Sequence, residues 1–517
     1  MKPVAVLINP PHAGSYRSAV MLGDSLALAS LAGVCRDHAF ETCVLDGFLH
    51  SWSVAEIISR LPQRIDLALI TNMHQHAWAS TQQLLGVIRQ KNPRSFTMLG
   101  GAAPTLNPRF YTDRAIDLDA VYTGAAMGKL TQLLAGWDDR RGPCKSGARA
   151  PVVIDGALSE GAGTPAILCR PDLHDSFEAD AIVCLESSKG CYASCGFCSI
   201  ASHYRRRWFV KALDQVFAEV DFIRQQLPHC TELRFVDANF FGADLPESTT
   251  HALSIADDLQ RRGFRFRVEC RANDVRPDLF RKLRAAGLVG VFIGFESGVD
   301  SFLRQVRKEV TVKRSLAAVE TLKSLEISCS FGFMMISTTA GVTELRSNYE
   351  FLKALGQGIR LKHLFSGLIH QVGTEFDERE ILEEAADTSL ESRLGYMPAD
   401  PACQMLVRFW DSLQQQRPDL LQQEHIIGVT LERGREARLP EFWAVDREFS
   451  AACLEAFRSF LDDVVDPAFG AQTLDRVKAV HIAHLEDILV GTSKKLAQLA
   501  LPSRVMLDSL RGHVSES

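Results

Sequence analysis

Short, nearly unbroken apolar runs alternate with amphipathic stretches along the first quarter of the chain. VAVLI (4–8), TCVLD (42–46), LALIT (67–71), FTML (96–99) and AVYTG (120–124) have the length and character of strands buried on both faces. Between them, residues 25–36 and 79–90 repeat apolar positions at i, i+3 and i+4, which predicts helices. The alternation predicts an α/β domain over residues 1–137, doubly wound around a parallel sheet, with its ligands beyond the carboxyl ends of the strands. Residues 138–180 break the rhythm with RRGPCKSGARAP and LSEGAGTP, and read as an interdomain linker.

Over residues 181–380 the alternation resumes at longer intervals. IVCLES (182–187), ELRFVD (232–237), FRFRVEC (264–270), VGVFIGF (289–295), SCSFGFMM (328–335) and KHLFSGL (362–368) read as strands, most followed by a helical period. Six β/α units in succession predict a partial barrel with chemistry at the strand ends. Beyond about residue 381 the strand signals stop. LVRFWDSLQQQ and residues 451–464, 474–489 and 493–499 predict a helical region over 381–517.

Composition narrows the function. The 517 residues exceed what one core organises, and 57 basic against 63 acidic side chains give a net charge of -6, which makes no electrostatic case for a nucleic-acid partner. The basic run Arg205–Arg206–Arg207 reads as a solvated loop. No apolar stretch reaches membrane-span length and the N-terminus lacks a secretory leader, so a cytoplasmic location is expected, where thiols stay reduced. Of 13 cysteines, ten are scattered as small apolar residues would be, and three are not.

Those three lie in GCYASCGFCSI, directly after the first strand of the second domain. Cys191, Cys195 and Cys198 follow C-x3-C-x2-C spacing and can reach three corners of a [4Fe–4S] cubane, leaving one iron open to a small molecule. A zinc knuckle would need a fourth ligand, for which His203 is the nearest candidate. With Phe197 beside the third cysteine and a strand before the loop, the segment from about 181 to 376 resembles the radical S-adenosylmethionine (SAM) superfamily. The resemblance implies that Cys191, Cys195 and Cys198 ligate the cluster, that the open iron binds SAM, and that one electron cleaves SAM to a 5′-deoxyadenosyl radical. It also implies SAM contacts from Asp237 and Asn239 in VDANFF, Arg271 in CRANDV, Glu296 and Ser297 in GFESG, and Met334 in GFMM. Read without the resemblance, Asp237 and Asn239 could cap a helix, Arg271 could pair with a carboxylate, and Met334 or Met335 could be core.

The first domain carries LGGAAPT (99–105), INPP (8–11) and ITNM (70–73) at the ends of its fourth, first and third strands. A GG-x-x-x-T run followed by Asp119, Val121 and Gly124 resembles the cobalamin-binding domain that precedes many radical SAM enzymes. The residues so implicated are Asn9, Pro10, Thr71, Asn72, Gly100, Gly101, Ala102 and Gly124. The Asp-x-His-x-x-Gly motif that brings a histidine to cobalt is absent, and AAMG (125–128) replaces the family's Glu-rich stretch. His74 and His76 read as solvated loop residues or as groups near a corrinoid. Taken together, the resemblance implies a cobalamin-dependent C-methyltransferase acting on a small molecule and fed electrons by a flavodoxin or ferredoxin. The open alternatives are a cobalamin-binding radical enzyme that rearranges, cyclises or oxidises its substrate, and a non-catalytic corrinoid or iron–sulfur sensor. His481 and His484, one turn apart, suggest a metal pair only if a third ligand joins them.

Overall fold

The computed structural model describes residues 2–11, 24–73, 77–124, 127–137, 151–156, 168–173, 183–242, 246–369, 373–376, 396–465 and 471–499. Six parallel strands form the N-terminal sheet: β1 (Val4–Asn9), β2 (Glu41–Asp46), β3 (Leu67–Thr71), β4 (Phe96–Gly100), β5 (Ala120–Gly124) and β6 (Val152–Gly156). Their order is β2-β1-β3-β4-β5-β6. Every residue of β3 is buried, as a parallel strand covered on both faces requires. Helices Leu26–Asp37 and Trp78–Lys91 pack on the sheet, burying one core of Ala5, Leu7, Leu28 and Leu69 and another of Val6, Ile8, Trp78 and Leu84 on opposite faces. The chain leaves β1 for β2 on one side and returns to β3 on the other. The switch in winding direction therefore falls at β1, where Asn9 ends its strand.

β6 lies within residues 138–180, the segment read from the sequence as linker. It adds to β5 in parallel register, with Ala120 opposite Val152 and Gly124 opposite Gly156. At the end of the sheet order, it leaves Val152 and Val153 each 47% exposed, and a five-residue strand surrounded by Gly and Pro gives little periodic signal.

A second parallel sheet runs β13-β12-β11-β10-β7, with β7 (Val183–Leu185), β10 (Glu232–Phe235), β11 (Arg265–Cys270), β12 (Leu288–Glu296) and β13 (Ser328–Phe333). A hairpin of β8 (Ser188–Gly190) and β9 (Trp208–Val210) brackets the cysteine loop. Five of the six expected barrel strands form. The sixth, expected at 362–368, is a helix over Leu361–Phe365 followed by a single parallel bridge between Ile336 and Gly367. Leu361, His363, Leu364 and Phe365 are all buried, so the run is apolar because it is core, and periodicity alone cannot tell a short buried helix from a strand.

The C-terminal residues form helices Pro401–Gln416, Pro418–Glu436, Pro440–Val465 and Ala471–Leu496. The stretches expected at 474–489 and 493–499 merge in the last. Asp400 starts the first of these helices by accepting from the Ala402 and Cys403 amides, ahead of Pro401. Among the described residues, no helix is long and apolar enough to cross a membrane.

The chain divides into two compact units. One comprises Met1–Tyr192, Cys198–Ala238 and Gln371–Ala386; the other comprises Ala193–Phe197, Asn239–His370 and Asp387–Ser517.

Candidate active site

In the first unit, the base of the cysteine loop is fixed by a buried carboxylate. Asp237, fully buried after β10, accepts from the Ser187 amide at 3.1 Å, the Ser187 hydroxyl at 2.7 Å and the Ser188 hydroxyl at 2.5 Å. Burial pushes its carboxyl up to about 6, and the three serine bonds pull against that rise. Trp208 Nε1 on β9 donates to the Ser188 hydroxyl at 2.9 Å, tying the hairpin to the same point. Gly190 enters the loop at φ 82°, and a Cβ there would lie 2.1 Å from the Arg207 carbonyl, so only glycine fits. Cys191 and Cys198 are half-buried, and Cys198 precedes the short helix Ser199–His203.

In the second unit, Cys195 is buried and meets a cation. Arg271 Nη1 donates to Cys195 Sγ at 3.2 Å, while its other terminal nitrogen donates to the Lys308 carbonyl. The Arg271 amide donates to Asp274 Oδ2 at 2.9 Å, and Asn239 Nδ2 donates to the same oxygen at 3.1 Å. The Gly196 amide donates to the Val306 carbonyl at 3.0 Å, fixing the loop between its second and third cysteines.

Glu296 ends β12 with φ 68°, a left-handed conformation that a side chain other than glycine adopts at a cost. The ladder to β13 shifts register between Gly294 and Glu296, which turns the carboxylate out of the sheet. Lys308 Nζ pairs with Glu296 Oε1 at 2.7 Å and lies 5.8 Å from the Phe197 ring centroid. Gly294 and Gly332, opposite each other on β12 and β13, leave bare backbone beside this pair. A Cβ on Gly294 would meet Glu296 Oε1 at 2.1 Å, and one on Gly332 would stand 3.6 Å from Glu296 Oε2. Behind Glu296, the Ser297 hydroxyl and the Gly298 amide both donate to Asn348 Oδ1, at 2.8 and 2.7 Å. The Met334 amide donates to the Glu296 carbonyl at 2.7 Å; Met334 is half-buried, whereas Met335 is core.

At the edge of the N-terminal sheet, the two motifs after β4 and β5 are joined by one hydroxyl. Thr105 Oγ1 donates to the Gly101 carbonyl at 2.7 Å and accepts from the Gly124 amide at 3.0 Å. Gly101 (φ 109°) and Gly124 (φ 80°) are in glycine-only conformations, where a Cβ would lie 2.5 Å from the Asn72 and Gly156 carbonyls respectively. Ala102 opens the short helix that follows Gly100 and Gly101. Thr71 and Asn72 are buried at the end of β3, and Asn72 Oδ1 accepts from the Thr81 hydroxyl at 2.9 Å. Asn9, with Pro10 buried after it, donates to Asp46 Oδ1 at 2.8 Å, and its own side-chain oxygen is buried without a hydrogen-bond partner. A cavity of about 240 Å³ opens here, lined by Thr105, Thr123, Gly124, Asp155, His203 and Arg205 among others. Burial, assisted by Lys189, holds the His203 imidazole below its usual range.

Among the described residues, no three His, Cys, Asp or Glu side chains are gathered at metal-ligating distance. The three cysteines share one irregular loop, 191–198. Their fit to an iron–sulfur cluster lies in the donor set, three sulfurs on a short segment with a guanidinium beside the middle one. His203 lines the cavity and packs edge-on against Tyr204, with no metal group around it. His481 is buried and bonds Asp463 at 2.8 Å, while His484 is exposed, so the two do not form a pair of ligands. His74 and His76 lie outside the described residues. Sequence reasoning missed Lys308, Asn348 and Asp274, and placed Thr105 only as the end of its glycine run. Lys308 sits 12 positions past Glu296 in a polar stretch with no motif, whereas Asn348 was detectable as a polar residue on the buried face of helix Val342–Leu355.

Residues 185–344 match the radical SAM superfamily. The chain is 21% identical over 368 residues to an uncharacterized methyltransferase of Pyrococcus horikoshii, covering 68% of this chain and 78% of that protein. Its fold is similar to that of OxsB, a cobalamin-dependent S-adenosylmethionine radical enzyme solved with aqua-cobalamin bound. The TM-score is 0.68 at 15% identity, over 100% of this chain and 84% of the other. It is also similar to TsrM of Kitasatospora setae, a radical S-adenosylmethionine methyltransferase solved with cobalamin and a [4Fe-4S] cluster. There the TM-score is 0.54 at 16% identity, over 69% of this chain and 70% of the other.

Proposed function

We propose that the chain is a radical SAM enzyme through the segment that matches that superfamily, residues 185–344, that it holds a [4Fe–4S] cluster on Cys191, Cys195 and Cys198, binds SAM and cobalamin, and methylates an unactivated carbon of a small molecule. The observation that carries the reading is the cysteine loop itself: three sulfurs within eight residues, and Arg271 donating to the sulfur of Cys195. When bound, the cluster and SAM supply hydrogen abstraction and the corrinoid supplies the methyl group. An unactivated carbon has no lone pair to attack a sulfonium, which is why radical chemistry is needed.

The chain's own residues bind and orient. Glu296 is the proposed partner of the SAM ribose or amino group, with Ser297, Asn239 and Met334 around it. Lys308 holds the Glu296 side chain in position through their ion pair. Asp237 holds the base of the cysteine loop. Gly100, Gly101, Ala102 and Gly124, with Asn9, Pro10, Thr71 and Asn72, offer the corrinoid a surface of bare backbone and short polar groups. A flavodoxin or ferredoxin is the proposed electron donor, and the helices after residue 396 are proposed to shape the substrate pocket.

A second reading, cobalamin-dependent radical chemistry without methyl transfer, draws support from the likeness over the whole chain to OxsB, a cobalamin-dependent S-adenosylmethionine radical enzyme. Anaerobic reconstitution followed by SAM and a strong reductant, with and without hydroxocobalamin, separates the readings. Formation of 5′-deoxyadenosine together with methylated cobalamin supports the methyltransferase. Deoxyadenosine with a bound corrinoid that never becomes methylated supports the second reading, and a protein that cleaves no SAM overturns both.

A further inference from the structure

The Arg271 guanidinium is buried at the end of β11, with 6% of the residue exposed, and is held from two sides. Its backbone amide is fixed on Asp274 and one terminal nitrogen on the Lys308 carbonyl, which leaves Nη1 aimed at Cys195 Sγ at 3.2 Å. A guanidinium keeps its charge throughout the accessible pH range, and its planar fork cannot swing away while the other nitrogen is bonded.

We propose that Arg271 raises the reduction potential of the cluster by donating a charge-assisted N–H···S bond to the Cys195 sulfur. The proposal rests on the reading of Cys195 as a cluster ligand. One electron from a low-potential donor such as dithionite takes the cluster from its 2+ to its 1+ state. No bond is made or broken, and the proton stays on the guanidinium. The added negative charge is shared by the ligating sulfurs, so a cation fixed in a buried, weakly screened position stabilises the reduced state more than the oxidised one. This role does not need SAM, which separates it from a contact to the SAM carboxylate.

The test is a redox titration of the reconstituted full chain without SAM, following the EPR signal of the reduced cluster. Arg271→Gln lowers the ratio of reduced to oxidised cluster at a fixed potential by about tenfold, a shift of about 59 mV for a one-electron couple. Arg271→Lys, which keeps the charge and loses the fork, falls between. An unchanged midpoint in Arg271→Gln overturns the proposal while leaving the cluster reading intact. Wild-type protein with no more iron than the variant lacking all three loop cysteines overturns the cluster reading and the proposal with it. A measurement on wild type needs no variant to load: with arginine labelled by 15N in the guanidinium, pulsed EPR of the reduced cluster shows a nitrogen coupling, and its absence overturns the assignment.

Discussion

At the scale of single residues, the chemistry most visible in the sequence is the chemistry set by local spacing. Cys191, Cys195 and Cys198 announce themselves because one loop must carry all three sulfurs. Lys308 does not, because its meaning comes from a fold that returns it to Glu296, and no short-range pattern encodes that return. Asp237 lies between the two cases: the sequence offers it as a helix cap or a cofactor contact, and in the structure its carboxylate takes three bonds from Ser187 and Ser188. A carboxyl raised from 3.8 to about 6 holds its proton more tightly folded than unfolded. Its contribution to stability is therefore fully present below pH 3.8 and is lost as pH rises through about 6. Between pH 5 and 7 this amounts to about 1 kcal/mol of lost stability. Asp237→Asn abolishes that component, so urea midpoints of wild type fall more from pH 5 to 7 than those of the variant. Parallel pH dependences in the two proteins would remove Asp237 from the linkage.

At the scale of elements, the long-period signals held and the short ones were ambiguous. β3 and β5 begin and end where their apolar runs do, since a strand buried on both faces has no polar positions to blur its limits. The run at 362–368 shows the converse, because burial makes a five-residue helix as apolar as a strand. The glycines of β12 and β13 carry a prediction of their own. Gly332 has ordinary backbone, and a Cβ added there meets Phe292 at 3.5 Å, Glu296 Oε2 at 3.6 Å and Gly294 Cα at 3.7 Å, all ordinary contacts. Gly332→Ala thus fits the sheet and lowers unfolded-state entropy, leaving thermal stability equal or higher by about 0.5 kcal/mol. It also covers bare surface beside Glu296, and weakens SAM binding by about tenfold, the loss of one good contact's worth of free energy. Equilibrium dialysis of the reconstituted protein reads the affinity, and calorimetry the fold. Undiminished SAM binding in this variant would show that the glycine pair is not part of the cofactor surface.

At the scale of the whole molecule, the helices after residue 396 are bonded into the barrel unit by buried charge, a connection that helical periodicity cannot reveal. Asp446, with none of its surface exposed, pairs with Arg435 and with Arg360 Nη1 at 2.9 Å, and accepts from the Gly358 amide at 2.8 Å. Burial pushes its carboxyl up, but the two guanidiniums outweigh burial and hold it below the usual range. Arg267 on β11 pairs in turn with Glu436 at the end of helix Pro418–Glu436. Networks of this kind add little net stability over apolar packing, yet removing one member strands the others as buried charges. Asp446→Asn takes the shared carboxylate from two buried guanidiniums and costs about 3–5 kcal/mol. The pair of buried His481 with Asp463, whose carboxylate side chain is 51% accessible, provides the contrast, and with the carboxylate open to water Asp463→Asn costs less than about 1 kcal/mol. Because the turn at Gly358 follows helix Val342–Leu355, the damage from Asp446→Asn spreads into the barrel. Limited proteolysis then cleaves barrel and C-terminal helices together at lower urea than in wild type. Loss of the C-terminal helices alone, with the barrel still protected, would mean that they fold as an independent cap and that the network only docks them.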